Sequence, residues 1–372
     1  MINQNSPEYE KETVILAQID LTTGSIPKTL LRFAFPMICG NLLQQLYNVA
    51  DTLIVGRFLG SDALGAVGSS YTLMTFLTSI LLGLCMGSGA LFSVCWGQRD
   101  LARLRRQTHA AFVLIAVCTV VLNAAAFLLL DAMKTLLSVP AEVWPLMRSY
   151  LFVIFFGIGG TFLYNYYASL LRAVGNSLVP LLFLAAAAVL NIALDLVFVL
   201  VCRWGVEGAA AATVLAQWLS GIGTAVYTLV RCPELRARRE ERRITGSMLR
   251  ELLSASVLTC LQQSVMNLGI LMVQGRINSF GPVIMAAFAA AVKIDSFAYM
   301  PLQDFGNAFS TFIAQNYGAQ QPERIRRGIR TAVILSSVFA VCVSACVVLL
   351  AAPLLGPVSY THLRAHETEL HL

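Results

Sequence analysis

The sequence predicts an all-α fold: a polytopic membrane helical bundle of two six-helix lobes related by a parallel repeat, with the second lobe incomplete. Three observations carry this. The 372 residues are 57% hydrophobic and only 12% charged, with a mean hydropathy of +0.72, whereas a soluble domain carries about 25% charged residues. Apolar runs of about 20 residues, enough to cross a hydrocarbon core of about 30 Å as helices, recur along the chain. The third part of the chain repeats the first. The runs are continuous rather than alternating, which selects helices over a closed barrel, the other architecture that satisfies its backbone in lipid.

Nine spans follow in order, at roughly 30–55, 62–95, 110–131, 148–171, 178–202, 206–230, 251–278, 284–314 and 331–353. The first comes after a polar, acidic segment, 1–29, with no short apolar core ending in small residues. No cleavable signal is therefore expected, and the first span serves as the insertion signal. Turn signals punctuate the joints: Gly60-Ser61-Asp62, Ser138-Val139-Pro140, Gly175-Asn176-Ser177 and Gly281-Pro282. Alternate joints are basic, with Arg99, Arg103, Arg105 and Arg106, then Arg172, then Arg231 through Arg250, then Arg324, Arg326, Arg327 and Arg330. The intervening joints hold little beyond Arg57, Lys134 and Arg203. The positive-inside rule then expects a multi-pass protein of the cell membrane with its amino terminus and basic joints in the cytoplasm. The net charge of +6 is a topology signal on this reading, and no nucleic-acid partner is expected. The longest polar joint, 231–250, is the natural linker between halves, and a basic helix facing lipid is its simplest form.

The repeat is direct. FSVCWGQRDLARLRRQTHAA from Phe92 matches FIAQNYGAQQPERIRRGIRTA from Phe312, aligning Gly97 with Gly318, Arg105 with Arg326 and Arg106 with Arg327 at one offset of 221 positions. Leu43-Gln44-Gln45 aligns with Leu261-Gln262-Gln263 at an offset of 218. Spans one to three thus correspond to spans seven to nine, six spans on, so both copies point the same way across the membrane. This divides the chain into an amino-terminal lobe at 30–230, the linker at 231–250 and a partial carboxy-terminal lobe at 251–357. The remaining 358–372 holds His362, His366 and His371, and VSYTHLRAHET resembles the conceptual translation of a sequencing-library adapter. The natural gene is therefore expected to continue from a cut near Pro357 into three further spans, and these histidines receive no functional reading.

Reactive chemistry is not indicated. The nine cysteines are scattered singly with no CxxC, and read as small apolar packing residues. There is no HExxH, no phosphate loop and no Ser/His/Asp set at plausible depth. His109, the sole histidine before the tail, falls at the basic end of the third span. An enzyme is not expected.

Acids at depth are the exception to the apolar pattern. Asp51 and Asp195 each lie in an apolar run, where a charge costs about 2.5–3.5 kcal/mol on insertion scales. Asn191 and Asp195 are i and i+4, on one helix face. Asp51, Asn191, Asp195 and Thr213 all come to similar depth in the outer half of the first lobe, and the small residues Gly208 to Ala212 permit close helix approach. Two carboxylates crowded there cannot both stay ionised without a cation between them, so a proton or Na+ is expected at these four residues. The plain alternative is that each acid caps a polar group of a neighbouring helix. Gln44, Tyr164, Gln262, Gln263, Lys293 and Asp295 are candidates for lining a cleft between the lobes. Tyr164 through Tyr167, with Tyr299, Met300 and Phe305, could equally be packing.

Taken together, PMICGNLLQQLYNVADTLIVGRFLG, ALGAVG, GSGALFSVCWGQRD, LLRAVGNS, NIALDLVFV, GVEGAAAATVLAQ and AAVKIDSFAYMPLQDFGNAFSTFIAQNYGA resemble the multidrug and toxic-compound extrusion family over about 21–355. The resemblance implies a V-shaped, twelve-helix antiporter that exports amphipathic, often cationic compounds against inward H+ or Na+ flow. It places Asp51, Asn191, Asp195 and Thr213 at the cation site of the amino-terminal lobe. It implies no cofactor beyond the coupling ion, a small organic cation as substrate, membrane lipid as surroundings and a monomeric state. Where some members carry an acid in the seventh span, this chain has Gln262 and Gln263. Two other functions compete: a flippase for a lipid-linked precursor, which would favour an arginine-lined cleft, and a membrane sensor that transports nothing.

Overall fold

The computed structural model describes residues 18–136, 143–278 and 282–369, without the side chains of 61, 72, 135–136, 270–271, 274–298 and 346–369. Eleven α-helices follow one another among the described residues: α1 (Ile26–Leu59), α2 (Ser61–Gly97), α3 (Leu101–Leu128), α4 (Ala132–Leu136), α5 (Trp144–Ile154), α6 (Ile158–Ala173), α7 (Leu178–Asp195), α8 (Gly205–Arg231), α9 (Gly246–Asn278), α10 (Pro282–Gly318) and α11 (Pro322–Glu369). Among the described residues, six stretches are long and apolar enough to cross a membrane: Asp62–Gly97, Leu101–Leu128, Trp144–Ala173, Leu178–Val201, Gly205–Arg231 and Pro322–Ala345. The fourth span is α5 and α6 joined end to end through a 3-10 turn at Phe155–Gly157.

Helices overrun the apolar runs that predicted them. α3 begins at Leu101 rather than near 110 because the Asp100 carboxylate accepts a hydrogen bond from the Arg103 amide (2.9 Å) and caps the helix. His109 is thereby half-buried two turns into α3. The linker differs from the expected basic helix. Residues 232–245 make only two 3-10 turns, Pro233–Leu235 and Arg239–Arg242, before α9 starts at Gly246. Arg105 on α3 holds the linker, with Nε 2.8 Å and Nη2 2.7 Å from the Glu241 carboxylate. A paired, half-coiled strap over a bundle end, rather than a helix on lipid, is what a run of five arginines with two glutamates settles into when one glutamate is captured from the side.

The repeat is visible in the backbone. After α2, Arg99 takes a left-handed conformation (φ 57°), and after α10 its repeat mate Gln320 does the same (φ 55°). The closing hydrogen bonds match one for one: Gln98 N to Val94 O, Arg99 N to Trp96 O and Asp100 N to Cys95 O in the first copy, and Ala319 N to Gln315 O, Gln320 N to Tyr317 O and Gln321 N to Asn316 O in the second. These helix ends also cross each other. A Cβ on Gly97 would stand 2.0 Å from the Gln315 carbonyl oxygen, and one on Gly318 would stand 2.2 Å from the Val94 carbonyl oxygen. The contact is reciprocal, as a pseudo-two-fold axis requires, and only glycine permits backbones so close.

Contacts between the bundles concentrate on the side where α1 begins and α2 ends, the side of the basic joints. Gly83 and Gly87 of α2 lie against Cys260 and Ser256 of α9. Leu30, Phe33 and Met37 of α1 form one buried cluster with Phe305, Ala308 and Phe312 of α10 and Ala332 of α11. Gln315 donates to the Ala173 carbonyl (2.7 Å), and Arg324 donates to the Leu21, Thr23 and Gly24 carbonyls. Arg103 and Gln107 of α3 both bind Glu251 of α9. The two bundles therefore converge at the basic side.

Gly97→Val and Gly318→Val are each expected to destabilise this closed side by about 1–3 kcal/mol, the usual magnitude of overpacking. A cysteine placed at buried Ala308, in a background lacking the native cysteines, should then become reactive toward an impermeant thiol reagent added to the basic side. Unchanged labelling would show that the crossing does not hold the bundles together. The Arg105 guanidinium keeps the Glu241 carboxyl below the usual carboxylate range through their hydrogen bonds. The linker clasp is therefore complete above the ordinary glutamate range and is lost as pH falls below that range, through the depressed value of the clasped carboxyl, with Glu241→Gln reproducing the loss at neutral pH. Faster proteolysis within 236–244 under either condition checks this.

Candidate functional site

Asp51 lies in the last third of α1, eight residues before its end and so about 12 Å along the axis from Leu59. Asn191 and Asp195 share the last turn of α7, both buried (1% and 0% exposed). Immediately after Asp195 the chain widens into a π-helical turn, Leu196–Val201, the kind of local irregularity that recurs at functional sites. That turn is clasped by the start of α8, where Gly208 lies against Phe198 and Phe198 stacks on Trp204 at 4.7 Å. Ala209, Ala210 and Ala212 are fully buried, so α8 comes in close enough for Thr213 to meet α7.

The four residues converge. Asn191 Nδ2 donates to Thr213 Oγ1 at 3.3 Å. The Asp51 and Asp195 carboxyls come within hydrogen-bonding reach of each other, with the Tyr150 ring beside both and Tyr47 beside Asp51. Asp51 Oδ1, both Asp195 oxygens and Asn191 Oδ1 are buried without a donor. A buried polar atom left unpaired costs about 1–3 kcal/mol, and a charged one more. Four such oxygens on neighbouring side chains could serve as donors to a hard cation, or the carboxyls could hold protons. No group of three or more His, Cys, Asp or Glu able to hold a metal ion occurs among the described residues. Two carboxyls with two neutral oxygens suit a monovalent cation better than a divalent one.

The cleft candidates divide. Gln44 is half-buried and lies near Tyr47, which is one turn below Asp51. Tyr164 is half-buried, donates weakly to the Pro180 carbonyl (3.4 Å) and neighbours Arg172 and Asp304. Tyr166 and Tyr167, in contrast, pack with Phe112 and Phe162 inside the first bundle, and the Tyr166 hydroxyl donates to the Thr108 carbonyl (2.6 Å). On α9, Gln262 is exposed and Gln263 half-buried, and neither joins the carboxyl pair. Lys293 and Asp295 belong to α10, and their side chains lie outside the described residues.

Sequence reasoning missed a third acid at depth. Asp304 on α10 is 3% exposed, and one of its oxygens accepts a hydrogen bond from Asn41 Nδ2 of α1 at 2.5 Å, across the bundle boundary. The signal was the one that exposed Asp51 and Asp195, a carboxylate within an apolar run, here PLQDFGNAF. Tyr150 was missed as well; a tyrosine among apolar residues carries no sequence signal of the acids it will face.

The family model described as MatE matches residues 36–197 and 255–363. A probable multidrug resistance protein of Bacillus subtilis, YpnP, is 31% identical over 312 residues, which are 82% of this chain and 68% of that protein. The fold is shared with a MOP superfamily transporter from Pyrococcus furiosus Vc1, at a TM-score of 0.86 and 22% identity over 92% of this chain and 76% of that one. It is also shared with an outward-facing multidrug resistance MATE family transporter, at a TM-score of 0.82 and 22% identity over the same shares of the two chains.

If the orphaned oxygens hold a cation, Thr213→Val, which keeps the side-chain shape, should weaken Na+ or proton binding about five-fold, the equivalent of one lost hydrogen bond of about 1 kcal/mol. Asn191→Leu should weaken it further. Calorimetric titration of the purified chain with Na+, and with acid in its absence, measures both. Binding unchanged in the two variants would remove these residues from the donor set.

Proposed function

Because the chain belongs to the multidrug and toxic-compound extrusion family, we propose that it is a secondary antiporter that exports amphipathic organic cations, driven by protons or Na+ entering through the Asp51–Asp195 site. The observation that carries the coupling is the buried carboxyl pair with unpaired oxygens, a site that favours positive charge. Entry of one such charge across 100 mV contributes about 2.3 kcal/mol to outward transport. On this reading the basic side is cytoplasmic, with the amino terminus. Convergence of the bundles there corresponds to a state open to the outside, in which the site loads from the external solution. The four donors come from one lobe of one chain, which supports a monomeric transporter surrounded by lipid. Chemistry on the substrate is not involved, since members of this family are transporters and not enzymes. A lipid-linked flippase would favour a cleft lined with arginines, and most arginines of this chain lie in the basic joints.

Asp51→Asn and Asp195→Asn are expected to abolish gradient-driven efflux of ethidium or a fluoroquinolone while leaving membrane insertion intact. Everted vesicles in which H+ and Na+ gradients are imposed separately identify the ion. Efflux at the unsubstituted level by both variants would sink the proposal.

A further inference from the structure

Asp304 meets Asn41 near the middle of α1, which is mid-bilayer depth where this helix is read as the first span. Asn41 is the sixteenth of the 34 residues of α1, about 15 Å along the helix from Asp51 toward the basic side. Substrate sites of repeat-built transporters gather at this depth, where the two bundles meet. Asp304 there is only half satisfied. Oδ1 takes the Asn41 amide, and Oδ2 is buried without a donor. Below it stands Arg172, at the last turn of α6, whose Nε is likewise buried and unpartnered. Arg172 also lies near the Tyr164 hydroxyl, and Tyr164 in turn lies near Tyr47. The guanidinium lies close enough to Asp304 to be felt by it, yet no ion pair within 4 Å is formed between them.

The geometry points to Asp304, with the rings of Tyr164 and Tyr47, as the recognition site for the organic cation, in which Arg172 stands in for the ligand while the basic side is closed. This rests on the reading of the chain as a cation exporter and assigns the residue that recognises the charge. The chemistry fits. A guanidinium is planar, delocalised and weakly hydrated, as an amphipathic organic cation is. A carboxylate supplies the counter-charge, and aromatic faces attract a poorly hydrated cation within about 6 Å. The Asn41–Asp304 bond spans the bundle boundary, so parting of the bundles on the basic side breaks it. The carboxylate is then exposed to that side with one partner fewer, ready for a cation from there. Closure returns the carboxylate to Asn41 and Arg172 and leaves the incoming cation without its counter-charge. The site is separate from Asp51 and Asp195, so substrate and coupling ion need not share a carboxylate.

The test is equilibrium binding to the purified chain in lipid nanodiscs, with tetraphenylphosphonium and its neutral analogue of similar size, triphenylphosphine oxide. The unsubstituted protein should prefer the cation. Asp304→Asn, which keeps shape and hydrogen bonding, should lose at least ten-fold in affinity for the cation and leave the neutral analogue unaffected. Asp304→Glu should retain the preference. Arg172→Gln should bind the cation several-fold more tightly, because a competing charge is gone. Cation affinity unchanged in Asp304→Asn, or equal losses for both probes, overturns the assignment and leaves the exporter reading standing. An unsubstituted protein that binds no organic cation overturns both. Should Asp304→Asn not yield monodisperse protein, Arg172→Gln carries the test, and unchanged or weakened cation binding there overturns the assignment.

Discussion

Asp51 and Asp195 are held against each other inside an apolar bundle with three of their oxygens unpaired, and much of the first lobe is arranged around that pair. Charge in hydrocarbon is tolerated only where a partner offsets it. Here the partner is absent from the protein itself. The surrounding structure supplies what holds the two acids in place: a π turn directly after Asp195, a run of small residues that brings α8 alongside, and an Asn191–Thr213 bond that closes one edge. A fully satisfied network would be rigid and inert. One that lacks positive charge favours a cation or protons, whose arrival would alter the energy of every helix that contributes to it.

The second constraint is the crossing of α2 and α10. Repeat-related glycines meet repeat-related carbonyls, so the two lobes approach to backbone contact at the end of α2. That end is reinforced by polar bonds from side chains to carbonyls of the opposite lobe, which can be exchanged for water without leaving charge stranded. The apolar cluster of Phe33, Phe305 and Phe312 is the larger contribution, and it too would be re-exposed on opening. A joint built from glycine contacts and exchangeable hydrogen bonds is one that can part and re-form. Asp304 sits just above this joint, where its bond to Asn41 depends on the joint being closed.

The division between what sequence and tertiary structure decided follows from the range of the forces. Hydropathy, basic joints and the 221-residue repeat are local or periodic properties, and they alone determined a duplicated helical membrane bundle. They also singled out Asp51, Asn191, Asp195 and Thr213, since i,i+4 spacing and depth in a span can be counted along a chain. What could not be counted is which faces meet. The linker's charge is legible along the chain and suggests a helix, whereas its capture by Arg105 depends on a contact from α3. Tyr164 and its neighbours Tyr166 and Tyr167 look alike in sequence, yet one faces the boundary and two fill the bundle core. Asp304 escaped notice because its meaning lies in Asn41, 263 residues away. Contacts of that separation are fixed only when packing settles the rotation of each helix. The sequence by itself thus determined that buried charge exists here and on which spans; the tertiary structure decided which buried charges share a site, because only packing brings distant helix faces together.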